Sequence, residues 1–187
     1  GNTQVRLALE TKVTPTAPDE TQAPEPFARA LIQAIRDAGM AERSTILSFD
    51  WRALQVVQKE APEIGTVYLS AQQRWLDNIG ADKAEASPGT AGLRYADHGS
   101  VPKMVRFAGG RIWSPFHGDL DAERMKQAQG LGLQVLAWTV NTPEEIEREF
   151  LKELTHFESR TTAVQPNGST AVPILPGALP ARALDYS

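Results

Sequence analysis

Two charged side chains close the short apolar segment VRLALETK, which covers residues 5–12. With the two-residue period of a strand, Leu7 and Leu9 fall on one face, whereas Glu10 and Lys12 share the other. A carboxylate and an ammonium group at the carboxyl end of such a strand suit a strand that opens onto a polar pocket. An edge strand that runs out into solvent would show the same pattern, so this segment alone leaves both interpretations open.

Histidine is the side chain best suited to acid–base chemistry near neutral pH. His117, in the segment SPFHGD, follows an apolar run with strand character, so its imidazole could line a pocket. His98 lies in a glycine-rich stretch and His156 at the end of a helical pattern, and we expect both to be ordinary loop or surface residues. The chain has no cysteine, which excludes thiol catalysis, disulfides and cysteine-based zinc sites.

The composition is typical of a globular protein, since 41% of the 187 residues are hydrophobic and 22% are charged. This length suits one domain or part of a larger one. A formal net charge of −4 argues against a general nucleic-acid binder, because such proteins are usually basic. No apolar stretch reaches the roughly 20 residues that a membrane-spanning helix needs, and no signal peptide is visible. Because the first residue is Gly rather than Met, we expect a processed, excised or incomplete chain. Compartment and oligomeric state are left open.

Short apolar runs alternate with helical patterns along the chain. We predict five strands, near residues 5–11, 45–49, 66–70, 111–114 and 134–140. We predict helices near residues 27–38, 51–62, 71–79, 121–129 and 142–154. The segment 80–110 is too long for a simple connection and predicts a loop with a short helix, either over a pocket mouth or as a packing insertion. Trp51, Trp75 and Trp113 are predicted to be core residues.

This alternation predicts parallel βαβ units, which form either a doubly wound sheet or a (β/α)8 barrel. No G-x-G-x-x-G or Walker motif follows a strand, which weakens the case for a nucleotide-binding sheet. Polar residues gather after the strands instead, and in a barrel all those strand ends share the face that carries the active site. These residues are Glu10, Lys12, Asp50, Ser70, His117, Thr139 and Asn141. We therefore predict an α/β fold of the (β/α)8 TIM-barrel type that is incomplete, because the chain supplies five of the eight strands.

Four segments make the comparison specific: LALETK, TILSFDWRALQVVQKEAPEIGTVYL, RIWSPFHGDL and GLGLQVLAWTVNTPEEIER. In this order, and with a Glu-x-Lys strand followed later by Trp-Thr-Val-Asn, the chain resembles the glycerophosphodiester phosphodiesterase family of (β/α)8 barrels. The resemblance covers roughly residues 5–148. It implies that the five strands correspond to barrel strands three to seven.

The resemblance also implies roles for individual residues. Glu10 matches a ligand of a divalent cation, Ca²⁺ or Mg²⁺, and Lys12 matches a residue close to the substrate phosphate. Carboxylate oxygens suit such hard cations, and an ammonium group suits a phosphodiester. Trp138 matches the indole that lines the substrate pocket. Phe49 and His117 are further candidates for the same wall.

Other motifs of the family do not occur in the chain. The family carries a His-Arg-Gly motif, a Glu-x-Asp pair that completes the metal site, and a His-Asp motif, all upstream of the strands found here. Its eighth strand is also missing, and the Pro-rich end of the chain predicts disorder. We accordingly divide the chain into a partial barrel domain, residues 1–158, and a tail, residues 159–187. A gene fragment, a shifted reading frame or an artificial end would each explain these absences.

The resemblance implies a phosphoric diester hydrolase that converts glycerophosphodiesters to glycerol 3-phosphate and an alcohol with the help of a divalent cation. Because the family's two catalytic histidines are not found, we expect this chain alone to be inactive. Its ligand would be a small glycerophosphodiester, without nucleic acid or a transmembrane segment. Two alternatives stay open: a non-catalytic barrel fragment or interaction module, and another metal-dependent TIM-barrel hydrolase.

Overall fold

The computed structural model of this protein describes residues 5–17 and 19–140. Its centre is a five-stranded sheet in which the strands are ordered β1, β2, β3, β6 and β7. These strands are β1 (Leu7–Thr11), β2 (Ser44–Ser48), β3 (Gly65–Ser70), β6 (Ile112–Pro115) and β7 (Gln134–Val135). A separate antiparallel pair is formed by β4 (Gln72–Gln73) and β5 (Leu76–Asp77). Every neighbouring pair in the main sheet is parallel, which confirms the predicted arrangement of the five strands.

Helices connect the strands. They are α1 (Pro24–Asp37), α2 (Trp51–Glu60), α3 (Tyr95–His98), α4 (Val101–Phe107) and α5 (Ala122–Gly130). Three of them begin at a side-chain oxygen that accepts a hydrogen bond from a backbone N–H of the first turn: Asp50 for α2, Ser100 for α4 and Asp121 for α5. Helix α1 instead starts at a proline and ends before Gly39, whose φ of +64° suits a residue without a β-carbon.

The central strands of the sheet, β2 and β3, are buried on both faces. Side chains on one face join those of the helices in the main core, which includes Ala28, Ile32, Ile46, Trp51, Leu54, Tyr68, Met104 and Trp113. Alternate residues of the same strands point the other way and form a smaller cluster of Leu47, Val67 and Leu69, against which Phe49, Ile112 and Trp138 pack. Burial on both faces is characteristic of parallel barrels, whose strands carry helices outside and packed side chains inside.

The neighbours of Leu9 and Glu10 identify the outer and inner faces of strand β1. Leu9 packs against the helix-side core. Glu10 pairs in register with Leu47 of β2, which belongs to the inner cluster. Since paired residues of parallel strands point to the same face, Glu10 lies on the inner face, as its alternation with Leu9 predicted.

The parallel sheet with its outer helices confirms the predicted α/β fold of a partial TIM barrel. Within the described residues, no helix combines the length and the apolarity that crossing a membrane requires. The predicted helix at residues 142–154 and the predicted disordered tail lie outside the described residues.

One predicted helix is wrong. Residues 71–79 contain the hairpin of β4 and β5 rather than a helix. Asp77 explains the break, because its Oδ1 accepts hydrogen bonds from the backbone N–H groups of Ile79 and Gly80. This local turn competes with helical hydrogen bonding, and Gly80 then takes a φ of +64°.

The long segment 80–110 divides into two parts with different neighbours. Its second part contains α4, whose Val101, Met104 and Val105 are buried in the helix-side core. Its first part approaches the strand ends, where Gly89 lies against the backbone of Phe49. The sequence left open whether this segment covers a pocket mouth or serves as a packing insertion. The first part lies at the strand ends, as a cover would, and the second part packs in the core.

Candidate active site

Glu10 and Lys12 form an ion pair at the carboxyl end of β1. The Lys12 Nζ donates a hydrogen bond to the Glu10 Oε1 at 2.7 Å. The Glu10 side chain is 18% exposed, whereas that of Lys12 is 80% exposed. The carboxylate is therefore half-sheltered on the inner face, and its counter-ion reaches into solvent. An ammonium this exposed can leave the carboxylate for another anion at little energetic cost.

The described residues do not by themselves complete a site for a divalent cation. In residues 5–17 and 19–140, no three side chains of the types His, Cys, Asp and Glu come together in a way that could hold a metal. Ca²⁺ needs about 6 to 8 oxygen ligands, and affinity depends on how many of them are charged. Glu10 offers one carboxylate, and Lys12 already occupies one of its oxygens.

Four aromatic side chains meet at the same end of the sheet, and we call them the aromatic cluster: Phe49, Trp75, Phe116 and Trp138. The Trp138 ring lies at its centre, with centroids 5.3 Å from Phe49, 5.4 Å from Phe116 and 6.1 Å from Trp75. Trp75 also contacts Phe116, at 5.2 Å. All four contacts are edge-to-face, the arrangement that aromatic quadrupoles favour.

Trp138 is held from three directions. Its indole Nε1 donates to the carbonyl of Ser114 at 3.0 Å. Its backbone N–H donates to the carbonyl of Pro115, and its own carbonyl accepts from the N–H of His117 at 2.6 Å. With both backbone groups and the indole N–H satisfied, the ring is fixed in orientation against Phe49.

Trp75 lies in the turn of the β4–β5 hairpin and is 61% exposed. The prediction that it is a core residue is therefore wrong, whereas Trp51 and Trp113 are buried as predicted.

Asn78 holds the hairpin to the barrel. Its Nδ2 donates to the carbonyls of Phe49 and Leu69, and its Oδ1 accepts from the N–H of Ala71.

A cleft of about 350 Å³ opens beside Phe49 and Trp75. This volume lies at the lower end of the range for small-molecule sites. Its walls come from three segments beside Phe49, namely residues 13–16, 75–78 and 87–89. A β-carbon on Gly89 would approach the carbonyl oxygen of Phe49 to 3.0 Å, so the absence of a side chain there lets the third wall close up.

His117 adjoins the aromatic cluster but does not line this cleft. Its ring packs on Phe116 at 4.5 Å, and its Nδ1 is buried without a hydrogen-bond partner among the described residues. His98 is instead the last residue of α3, and its ring packs beside Phe107 at 4.8 Å. His156 lies outside the described residues.

Two other polar residues at strand ends have structural roles. Asp50 is buried, caps α2 and binds the Arg52 guanidinium through both of its carboxylate oxygens. This hydrogen bonding raises the pKa of Arg52. The hydroxyl of Ser70 accepts from the indole N–H of Trp113 at 2.9 Å. Both side chains are buried and make hydrogen bonds within the protein.

Of the sequence-predicted site residues, Phe49 and Trp138 lie together, and His117 lies next to them through Phe116. Glu10 and Lys12 form a second group at the end of β1, connected to the cleft by Val13, which follows Lys12 and lines it. Sequence reasoning missed Trp75, Phe116 and Asp77. Trp75 lies five residues after the end of β3, but its predicted place in the core rested on the general tendency of tryptophan to be buried.

The comparisons with known proteins establish the family. Residues 2–154 match the model of the glycerophosphoryl diester phosphodiesterase family, and the chain belongs to this family. Among solved structures, a protein assigned as a glycerophosphoryl diester phosphodiesterase from Silicibacter pomeroyi is 32% identical, with a TM-score of 0.59 over 76% of this chain. A glycerophosphodiester phosphodiesterase from Parabacteroides distasonis is 18% identical, with a TM-score of 0.50 over 76% of this chain. No curated protein matches the chain.

A third structure shares the fold and contains a ligand. It is an Oleispira antarctica phosphodiesterase in complex with the product sn-glycerol-3-phosphate, 15% identical, with a TM-score of 0.52 over 79% of this chain. The chain spans 43%, 47% and 48% of the Silicibacter, Parabacteroides and Oleispira proteins. It therefore corresponds to less than half of each.

Proposed function

We propose that this chain serves in the hydrolysis of glycerophosphodiesters to glycerol 3-phosphate and an alcohol. The observation that carries the proposal is that the Glu10–Lys12 pair and the aromatic cluster both lie at the carboxyl ends of parallel strands, in a chain of this family. In a barrel this end of the sheet is where ligands bind. The product in the Oleispira structure supports the same substrate class.

Each proposed residue has a role that its surroundings favour. Lys12, 80% exposed and two residues beyond Glu10, would turn from that carboxylate to the negatively charged phosphate. Trp138 and Phe49 would pack against the apolar carbons of the substrate, since their rings are held edge-to-face. His117 would complete the wall beside Phe116, because its buried Nδ1 has no partner among the described residues and can accept or donate one hydrogen bond.

Glu10 is proposed as the carboxylate that this chain contributes to a divalent cation site. Support comes from its half-sheltered position on the inner face of the barrel. Ca²⁺ or Mg²⁺ would neutralise charge on the phosphodiester there. One carboxylate paired with an ammonium group should bind either ion no better than about millimolar, since tight sites use several charged oxygens.

We further propose that the chain alone does not turn over substrate. General acid–base catalysis contributes about 10² to 10⁴-fold. The family resemblance implies that two histidines supply it. The three histidines of the sequence are His98, His117 and His156, and none stands in a His-Arg-Gly or His-Asp motif.

The test is complementation. The pure chain, incubated with glycerophosphocholine and Ca²⁺, should release no glycerol 3-phosphate above background. Mixing it with the amino-terminal half of the Silicibacter pomeroyi protein should produce activity that Glu10→Gln abolishes. Glu42→Gln, on an exposed residue that precedes the amino-terminal end of β2, opposite the carboxyl ends, serves as the matched control. Activity of the pure chain alone would contradict its proposed inactivity, and complemented activity that survives Glu10→Gln would contradict the role of Glu10. Calorimetric binding of Ca²⁺ at micromolar concentration would reveal a ligand set other than the one proposed.

A second candidate, an interaction module, is favoured by the two outer strands of the sheet. Among the described strands, β1 and β7 each pair on one side only. Open edges of this kind offer backbone N–H and C=O groups to another chain. Light scattering of the purified protein would distinguish the candidates, because an interaction module should form concentration-dependent complexes that a monomeric catalytic fragment does not form.

A further inference from the structure

We infer that the cleft beside Trp75 selects head groups that carry a quaternary ammonium, with Trp75 as a specificity-determining residue. The inference deepens the proposed function and rests on it for the phosphodiester to which such a head group is attached. The preference of the cleft for a cation depends only on residues that the structure describes.

The aromatic surface of the cleft is the first observation. Phe49 and Trp75 both line it, and the Trp138 ring contacts both of them edge-to-face, at 5.3 and 6.1 Å. An indole face is the strongest partner for an organic cation, and quaternary ammonium ligands are typically bound by two or more aromatic rings. Val13, Pro15 and Pro88 add apolar walls that methyl groups on the nitrogen would contact.

The charge of the cleft is the second observation. Among the lining residues that the structure describes, Asp77 is the only charged one. Its Oδ1 accepts two backbone hydrogen bonds, from Ile79 and Gly80, which fix the carboxylate in place. Asp119 adds a second carboxylate under the hairpin, where it accepts from the N–H of Gln72 and the side chain of Gln73. Arg74 opposes them from the turn but does not line the cleft.

The position of the cleft is the third observation. Val13 lines it and directly follows Lys12, the proposed phosphate contact. In a choline ester only an ethylene link separates the nitrogen from the phosphate oxygen, so the trimethylammonium group reaches only residues close to the phosphate contact. Val13 is the neighbour of Lys12 in the chain and makes this cleft the candidate for that position. A primary ammonium would lose more hydration than a quaternary one on entering these apolar walls, which favours the methylated head group.

The experiment compares two ligands of the same shape. Choline chloride and its neutral isostere, 3,3-dimethyl-1-butanol, are titrated into the full chain and followed by ligand-observed NMR. We expect choline to bind about fivefold more tightly, which at about 1.4 kcal/mol per factor of ten corresponds to ~1 kcal/mol, the size of an exposed cation–π contact. Trp75→Leu should remove this preference, and Trp75→Phe should restore part of it.

Two further variants sharpen the test. Asp77→Asn should weaken choline binding and leave the isostere unaffected, because only the cation interacts with the carboxylate. Phe107→Leu changes an aromatic residue that is also exposed, at 71%, but lies on α4 away from the cleft, and it should change neither affinity. Circular dichroism checks that every variant keeps the wild-type fold.

The outcomes separate this inference from the proposed function. Equal affinities for the two ligands, no binding of either, or a preference that survives Trp75→Leu would each overturn the cleft assignment. Hydrolysis in the complementation assay without a choline preference would leave the proposed function standing and refute the inference. A choline preference that depends on Trp75, in a protein that never supports hydrolysis, would do the reverse.

Discussion

Replacing Asp50 should cost about 2 kcal/mol of unfolding free energy, and the structure shows where that energy comes from. The carboxylate is fully buried and accepts the backbone N–H of Arg52 as the cap of α2, a contact worth about 1 kcal/mol. It also binds the guanidinium with contacts of 2.6 to 3.2 Å. Hydrogen bonds to charged groups contribute about 1.5 to 3 kcal/mol. Because the Arg52 side chain is 37% exposed and regains water, we discount that contribution to about 1 kcal/mol.

Two substitutions at this position separate the cap from the ion pair. Asp50→Ala removes both and should cost the full amount, about 2 kcal/mol. Asp50→Asn keeps a good capping residue and loses the charge, so it should cost about half as much. With a urea slope of about 1 to 3 kcal/mol/M, the alanine variant should unfold at a midpoint about 1 M lower.

Urea titrations followed by circular dichroism measure these differences. Asp97→Ala is the matched control, because Asp97 also pairs with an arginine but is 48% exposed, and its removal should lower the midpoint far less than Asp50→Ala does. The reasoning is refuted if Asp50→Ala and the control unfold at the same urea concentration. If Asp50→Asn costs as much as Asp50→Ala, the ion pair rather than the cap carries the effect.

Three further predictions concern stability. Hydrogen bonds from Arg29 hold the pKa of Glu60 below its usual 4.5, so Arg29→Ala should lower the melting temperature at neutral pH, and the difference should shrink in calorimetric scans as the pH falls below 4.5. Gly110→Ala should cost about 1 to 3 kcal/mol of unfolding free energy in urea titrations, because its new β-carbon would lie 2.9 Å from the Tyr68 ring. In the control Gly130→Ala the β-carbon meets no atom within 4 Å, so this variant should not destabilise the protein. Tyr68→Phe should cost about 1 to 2 kcal/mol by the same assay, because it leaves the carbonyl of Ala108 without its 3.0 Å hydrogen bond. Burial also raises the pKa of the Tyr68 phenol, so its ionisation should cause no loss of stability below about pH 10.

The sheet could be predicted because its strands are short, apolar on both faces and separated by helical patterns. Leu47, Val67 and Leu69 are examples, because burial of the inner face places apolar residues at positions where an exposed strand would carry polar ones. Phe49 and Trp138 could be predicted as neighbours because parallel strands bring their carboxyl ends to one side.

The hairpin could not be predicted because its sequence favours two structures. Residues 71–79 contain good helix formers, and a helical period would place Trp75 and Ile79 on one face. The structure is decided instead by tertiary hydrogen bonds from Asn78 to Phe49 and Leu69, which no local pattern reveals. Trp75 consequently moves from the predicted core to the rim of the cleft.

The hydrogen bonds that join the hairpin to the barrel lie at its base, whereas Trp75 at its tip contacts the barrel through ring edges. The backbone groups and side chain of Asn78 bind Ala71 in both directions, and Asp119 supports the first strand of the hairpin from below. The residues between Ala71 and Asn78 can therefore change in length and type while the sheet beneath them keeps its hydrogen bonds. In evolutionary terms the hairpin is an exchangeable part: a transplant of residues 72–77 from a relative would exchange the rim of the cleft in a single step and leave the folding of the barrel undisturbed.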